Sequence, residues 1–345
     1  MNKAIWMQLV FAAGVSTIAV PAAANSPVGT ITTFAANIEN TTPCGSPEGL
    51  SVDLQGNFYT GSAQTKSPGA VCQFASNGTF KKSFSIQPAK SDGVVSLLGV
   101  LFQPPHTLFA LDFADALAGP PNQPPPTDGR VLSINTETGA VTTVASGFIF
   151  PNGIAEDLNG FFYVTDSIQA TVTRFKADGS QKSVWYSGSL LAPGTGQPPL
   201  GANGIAFDFF FHNVYVSNTS NQQIIRIPVE HDGSAGTGVV FADGGVIDTK
   251  QNTTKALAGA DGIAFDLFGN LYVAANQANE IQVISPTGQL AARYSSATLT
   301  LDNPASLVFI GDELYFTNAS IFDGGVNSAI FILETPLPGL PPFPL

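Results

Sequence analysis

One pattern recurs six times along the chain: a short apolar run, a turn rich in Asp, Asn and Gly, and a second apolar run. The clearest copy is Gly259-Ala260-Asp261-Gly262-Ile263-Ala264-Phe265-Asp266-Leu267-Phe268-Gly269-Asn270-Leu271-Tyr272-Val273-Ala274-Ala275-Asn276. Close copies begin at Gly201-Ala202-Asn203-Gly204, Phe150-Pro151-Asn152-Gly153 and Pro47-Glu48-Gly49, and more divergent ones at Leu98-Gly99-Val100 and Pro304-Ala305-Ser306. Asp, Gly and Asn supply the turn chemistry between the two runs. A repeat of about 40–50 residues built only from short strands is the mark of a β-propeller with one four-stranded blade per repeat. The six copies predict an all-β, six-bladed β-propeller. No stretch beyond the N-terminus carries a helical apolar period.

Two features of the ends predict how the ring closes. Residues 29–38 alternate like a strand before the first repeat, and the last repeat has only a third strand, 328–333, before a proline-rich tail. The tail is too rich in proline for a central strand. The N-terminal strand is therefore expected to close the last blade from outside. Although 345 residues often make two domains, repeats running almost end to end predict one, over 25–335, with 336–345 as a tail.

Residues 1–24 read as a secretory signal peptide: basic Lys3, an apolar stretch to Val20 and a small-residue cleavage pattern, Ala22-Ala23-Ala24. The mature chain is then expected to be secreted, periplasmic or extracellular, with no later segment able to span a bilayer. The net charge is −12 and charged residues make up 11% of the chain. Such an acidic chain argues against nucleic acid and against anionic membranes. It is compatible with a cation site, although a solvated acidic surface is the commoner cause. In an oxidising compartment the two cysteines, Cys44 and Cys72, can form one disulfide; two separate buried thiols are the alternative. Asn-x-Ser/Thr sites occur at Asn40, Asn77, Asn218, Asn252 and Asn318. Long loops at 112–130, 187–200 and 244–259 are candidates for pocket walls.

The chemistry is expected where the first strands begin. The equivalent positions of the six repeats are Glu48, Leu98, Asn152, Asn203, Asp261 and Ala305. Four are oxygen donors, which the propeller geometry gathers at the mouth of the central channel. Buried polar groups cost free energy unless partnered, so two carboxylates and two amides converging there suit a hard divalent cation such as Ca²⁺. Zn²⁺ and copper prefer His or Cys, and none of the six positions holds either. The Gly after each donor also fits a plain turn before each strand. Asp112, Asp166, Asn218 and Asn276, which end the second strands, are further candidates for the rim.

The segments Pro47-Glu48-Gly49, Phe150-Pro151-Asn152-Gly153-Ile154-Ala155 and Gly259-Ala260-Asp261-Gly262 resemble the gluconolactonase, senescence-marker-protein and luciferin-regenerating-enzyme superfamily of six-bladed propellers. Diisopropyl fluorophosphatase and the paraoxonases are relatives. The resemblance covers nearly the whole mature chain. It implies a catalytic divalent metal, Ca²⁺ or similar, held by Glu48, Asn152, Asn203 and Asp261, and hydrolysis of lactones or related esters, with Asp261 as base or nucleophile. Where the fluorophosphatase-like members use an acid and a His for a second calcium, this chain has Ala264 and Val308, so no second ion of that kind is expected. The Arg that grips sugar-acid carboxylates in some gluconolactonases has no clear counterpart.

A small-molecule substrate follows from this reading. A non-catalytic binding propeller, like the NHL-type or strictosidine-synthase-like members, is the alternative, since a fold alone does not fix chemistry. A lyase acting on cyclic ester peptides would want a His at the mouth; His106, His212 and His231 all fall in turns away from it.

Overall fold

The structure, a computed structural model, describes residues 27–343 apart from 92, 115, 117–124 and 197–198. The expected signal peptide and much of the loop at 112–130 lie outside the described residues.

The described residues form six four-stranded antiparallel sheets. First strands Ser51–Val52, Leu97–Gln103, Pro151–Glu156, Ala202–Phe207, Ala260–Phe265 and Pro304–Ile310 follow one another around a common axis. Five sheets take their strands in chain order. The sixth borrows its outer strand from the other end of the chain: Ile31–Ala36 pairs with Ala329–Glu334, as the spare N-terminal strand predicts. The closing strand brings Phe34 to 4.7 Å from Phe58 in blade one and 5.2 Å from Tyr315 in blade six. Those two rings are themselves 4.5 Å apart, so one aromatic cluster welds the first blade to the last.

The turns of blades one, three and five share one construction. The carboxylate of Asp53 accepts the backbone N–H groups of Gln55 and Asn57, and then the Tyr59 hydroxyl at 2.8 Å. Asp157 does the same for Asn159, Phe161 and Tyr163. Asp266 holds Phe268 and Asn270. One Asp thus satisfies a turn's orphan donors, while Gly56, Gly160 and Gly269 supply the positive φ.

The glycines at the axis have a different cause. A Cβ on Gly49, Gly99, Gly153, Gly204 or Gly262 would stand 2.3–2.4 Å from a backbone oxygen of the next blade: Leu98, Asn152, Asn203, Asp261 and Ala305 respectively. None of the five has a positive φ. The alternative that the Gly after each donor merely makes a turn is therefore set aside. These residues sit at the start of the inner strands and let one blade approach the next.

The loop at 244–259 contains an α-helix of 8 residues, Gly244–Gln251, whose N-cap Asp243 accepts from the Val246 N–H. Its Gly-Gly start and weak apolar pattern hid it from the sequence. Cys44 and Cys72 form a disulfide, with Cα atoms 6.0 Å apart, tying the approach to blade one onto its third strand. Asn218 and Asn318 are fully buried and hydrogen-bonded, which closes those two sites to glycosylation in the folded chain. No helix among the described residues is long and apolar enough to cross a membrane.

The axial contact predicts an asymmetry between glycines. Gly204→Ala should lower the unfolding free energy by about 1–3 kcal/mol, as overpacking does. Gly245→Ala, where the one atom near a new Cβ is Asp243 Oδ1 at 3.5 Å, should be neutral or stabilising. Denaturant titration of both variants checks this; equal losses would refute the close-approach explanation.

Candidate metal centre

Glu48, Asn152, Asn203 and Asp261 come from blades one, three, four and five and line a single cavity on the axis, of about 510 Å³. Each is only 3–6% exposed. The two remaining blades bring Ala305 to the same cavity and Leu98 to a separate apolar cluster with Phe113 and Phe150. The ring of positions read from the repeats is thus one place in space, with four polar sectors and two apolar ones.

Hydrogen bonds turn the two amides. Asn152 Nδ2 donates to Ser167 Oγ at 3.1 Å, and Ser167 Oγ itself donates to the Ala202 carbonyl at 2.6 Å. Asn203 Nδ2 donates to Thr219 Oγ1 at 2.9 Å, and that hydroxyl donates to the Ala260 carbonyl at 2.9 Å. A hydroxyl whose proton is committed to a carbonyl can only accept from the amide. The amide nitrogen is therefore fixed on that side, and the side-chain oxygen is the group left to coordinate. The backbone is anchored as well: the carbonyls of Asn203, Asp261 and Glu48 accept from Thr165, Ser217 and Thr317 hydroxyls at 2.5, 2.6 and 2.6 Å.

The two acids are held in an unfavourable state for bare carboxylates. Burial, and then the charge of Asp261, push Glu48 well above the usual carboxylate range. Burial pushes Asp261 up to about 7, against the pull of the Asn276 and Asn203 side chains and the Gly262 N–H. Asn276 Nδ2 donates to Asp261 Oδ2 at 3.0 Å. Among the described residues no group of three or more His, Cys, Asp or Glu side chains could hold a metal. Two carboxylates with two oriented amides match a hard, oxygen-seeking cation instead, and the residues present fit one.

Ser167 and Thr219 were missed by the sequence reading, although each directly follows the residue ending a second strand, a position the repeats define. Asn276, at the same step, does join the site. Asp112, Asp166 and Asn218 do not. Asp166 accepts the N–H groups of Ile149, Phe150, Ile168 and Gln169. Asp112 accepts from Ser96, Ala114 and Arg130. Asn218 donates to Leu190 and Ala192 carbonyls. All three are fully buried and pin loops between blades, so they are structural rather than part of a rim.

The cavity also has a direction. From the donors it runs along the first strands to the turns that follow them, where Leu158 and Phe210 stand; no described residue from the loops after the second strands lines it. His106 lies beside Glu137, at 3.5 Å, and His212 stacks against Phe210, 5.8 Å between ring centres. Neither these two nor His231 lines the axial cavity.

Residues 194–320 match the family model described as SMP-30/Gluconolactonase/LRE-like region. Among solved structures, the chain is similar to a luciferin-regenerating enzyme, with 16% identity and a TM-score of 0.62 over 90% of this chain and 97% of that one. Regucalcin from Agrobacterium tumefaciens, described as a calcium-binding protein, gives the same identity, TM-score and coverage. A gluconolactonase from Xanthomonas campestris matches at 15% identity and TM-score 0.62, over 95% and 99% of the two chains. At such identities the likeness speaks for the fold, and it agrees with the blades counted from the repeats. The chain is a six-bladed β-propeller whose residues 194–320 match the SMP-30/gluconolactonase/LRE-like family model, in line with the resemblance read from its motifs.

Proposed function

We propose that the protein is a secreted, Ca²⁺-dependent hydrolase of lactones or related esters, acting on a small-molecule substrate at the axial donors. The observation that carries this reading is the pair of buried acids, Glu48 and Asp261, beside two amides whose nitrogens are tied back by Ser167 and Thr219. The matched family region and the gluconolactonase and calcium-binding relatives support it. The signal-peptide pattern and the buried Cys44–Cys72 disulfide support secretion.

A divalent cation held by Glu48, Asn152, Asn203 and Asp261 would supply the positive charge that polarises an ester carbonyl. The chain's own groups account for the rest. Asp261 stands among the four donors in the cavity, where its carboxylate is placed to take a proton from an attacking water. Asn276 Nδ2 donates to Asp261 Oδ2 and so orients the carboxylate. Burial of all four donors keeps bulk water from competing for them.

Three outcomes are expected. Calorimetry on chelator-stripped mature protein should show saturable Ca²⁺ binding that Asp261→Asn weakens sharply, together with a loss of about 10²–10⁴ in any lactone hydrolysis; no binding to the unaltered protein would leave a non-catalytic binding propeller. Ser167→Ala, which frees the Asn152 amide to turn, should weaken Ca²⁺ binding by about 10–100-fold without unfolding the chain. The third concerns pH. Both acids are raised by burial, so the folded, cation-free chain holds protons that the unfolded chain has already released. Stability in chelator is then greatest at acidic pH and is lost as pH rises from the ordinary carboxylate range, about 4, through about 7 for Asp261. Saturating Ca²⁺ should remove most of that fall in Tm; a Tm in chelator that rises over the same window would refute the buried-acid assignment.

A further inference from the structure

The C-terminal segment crosses the lower end of the channel. Residues 336–343 leave blade six, where Gly339 N–H donates to the Gly311 carbonyl at 2.8 Å. They run beside blade five, with Leu267 N–H donating to Pro338 and Leu340 N–H to Phe265 at 2.9 and 2.8 Å. They end with Phe343 6.0 Å from Phe102 of blade two. Blades five and two stand on opposite sides of a six-membered ring, so the segment is a strap across the diameter, and its residues line the axial cavity.

Between the donors and this strap the walls are mostly apolar, built from residues such as Val100, Ile154, Ile205, Ile263, Leu307 and Phe309. Three of the polar side chains that line the cavity already hold protein partners. Ser51 accepts the Phe102 N–H, Glu156 accepts from Gln103, and Asp208 holds His212 and Asn213. A polyhydroxylated ligand lying here would leave the hydroxyls that face these apolar side chains without partners, and unpartnered buried polar groups are unfavourable. The volume, about 510 Å³, is that of a small-ligand site, with its coordinating oxygens gathered at one end.

We propose that this channel seats an alkyl arm: the substrate class is a lactone or ester carrying a straight apolar chain, its carbonyl at the donors and its chain running toward the strap. The assignment of the carbonyl end rests on the hydrolase reading; the seat for the chain does not. Leu158, Phe209 and Phe210, exposed at the turns and lining the same cavity, form an apolar approach to this end, and the strap lies across it. Gly339 is the tight point, since a Cβ there would stand 1.8 Å from the Phe309 ring.

The test uses the mature full-length protein and γ-lactones with alkyl arms of increasing length. In chelator, where no turnover is expected, affinity measured by calorimetry should climb by up to about fourfold per added methylene, the value for full burial of a CH₂, and stop climbing once the channel is full. Ala206→Phe, which narrows the channel, should halt the climb at a shorter arm. Gly339→Leu, which lifts the strap, should speed association severalfold at an unchanged fold, judged by circular dichroism. Affinity independent of arm length in the unaltered protein would overturn the proposal whether or not either variant folds. With Ca²⁺ added, long-armed lactones that bind by this rule but are never hydrolysed would keep the chain site and remove the hydrolase reading. Hydrolysis that ignores arm length, with no length-dependent binding, would do the reverse.

Discussion

The structure depends on a contact between backbones. Five of the six inner strands press a side-chain-free Cα against a backbone oxygen of the next blade, at Gly49, Gly99, Gly153, Gly204 and Gly262. That approach sets the radius of the ring. It also brings the residue before each glycine to the axis at one level, so donors more than 200 residues apart in sequence meet. A bulkier residue at any of the five would widen the ring locally and separate the oxygens. The glycines and the donors are therefore one device: the first makes the gap small and the second fill it.

Orientation is a separate matter from position, and it is handled by hydroxyls. Ser167 and Thr219 each accept from an amide of their own blade and donate to the next blade's backbone. The direction of an Asn side chain is thus set by how the following blade is docked. Thr165 and Ser217 tie the backbone beneath the site across the same two seams, and Thr317 does so across the seam between blades six and one. Polar groups that would otherwise cost free energy in a buried place become the means by which the seams are kept in register.

Much of this was legible in the sequence because it depends on spacing alone. The blade count follows from the recurrence of one strand-turn-strand pattern, and the closing strand from a surplus at one end matched by a deficit at the other. The level of Glu48, Asn152, Asn203 and Asp261 follows from their shared place in the repeat. What could not be read depends on contacts between repeats. Gly204 looked like a turn residue until Asp261 O appeared where its Cβ would be. Asp166 looked like a rim group, but the four N–H groups that it holds come partly from an adjoining loop whose course no spacing reveals. The strap was invisible for a similar reason: proline excluded a central strand, but nothing in composition says that 336–343 crosses a diameter.

The closing pair of strands has a consequence in time. Ile31 is paired with Leu333, so a strand made early waits for one made some 300 residues later. Until then it is an unpaired edge, the kind that joins other chains. It is short, and its middle residues Thr32 and Thr33 are polar and exposed, which limits that hazard. The other five blades are made of neighbours in sequence and can form as they are synthesised, whereas blade six needs both ends at once. The ring therefore acts as its own check on completeness. A chain cut short before Ala329 can fold blades but cannot join the first to the last, and it keeps the open edge that marks it as unfinished.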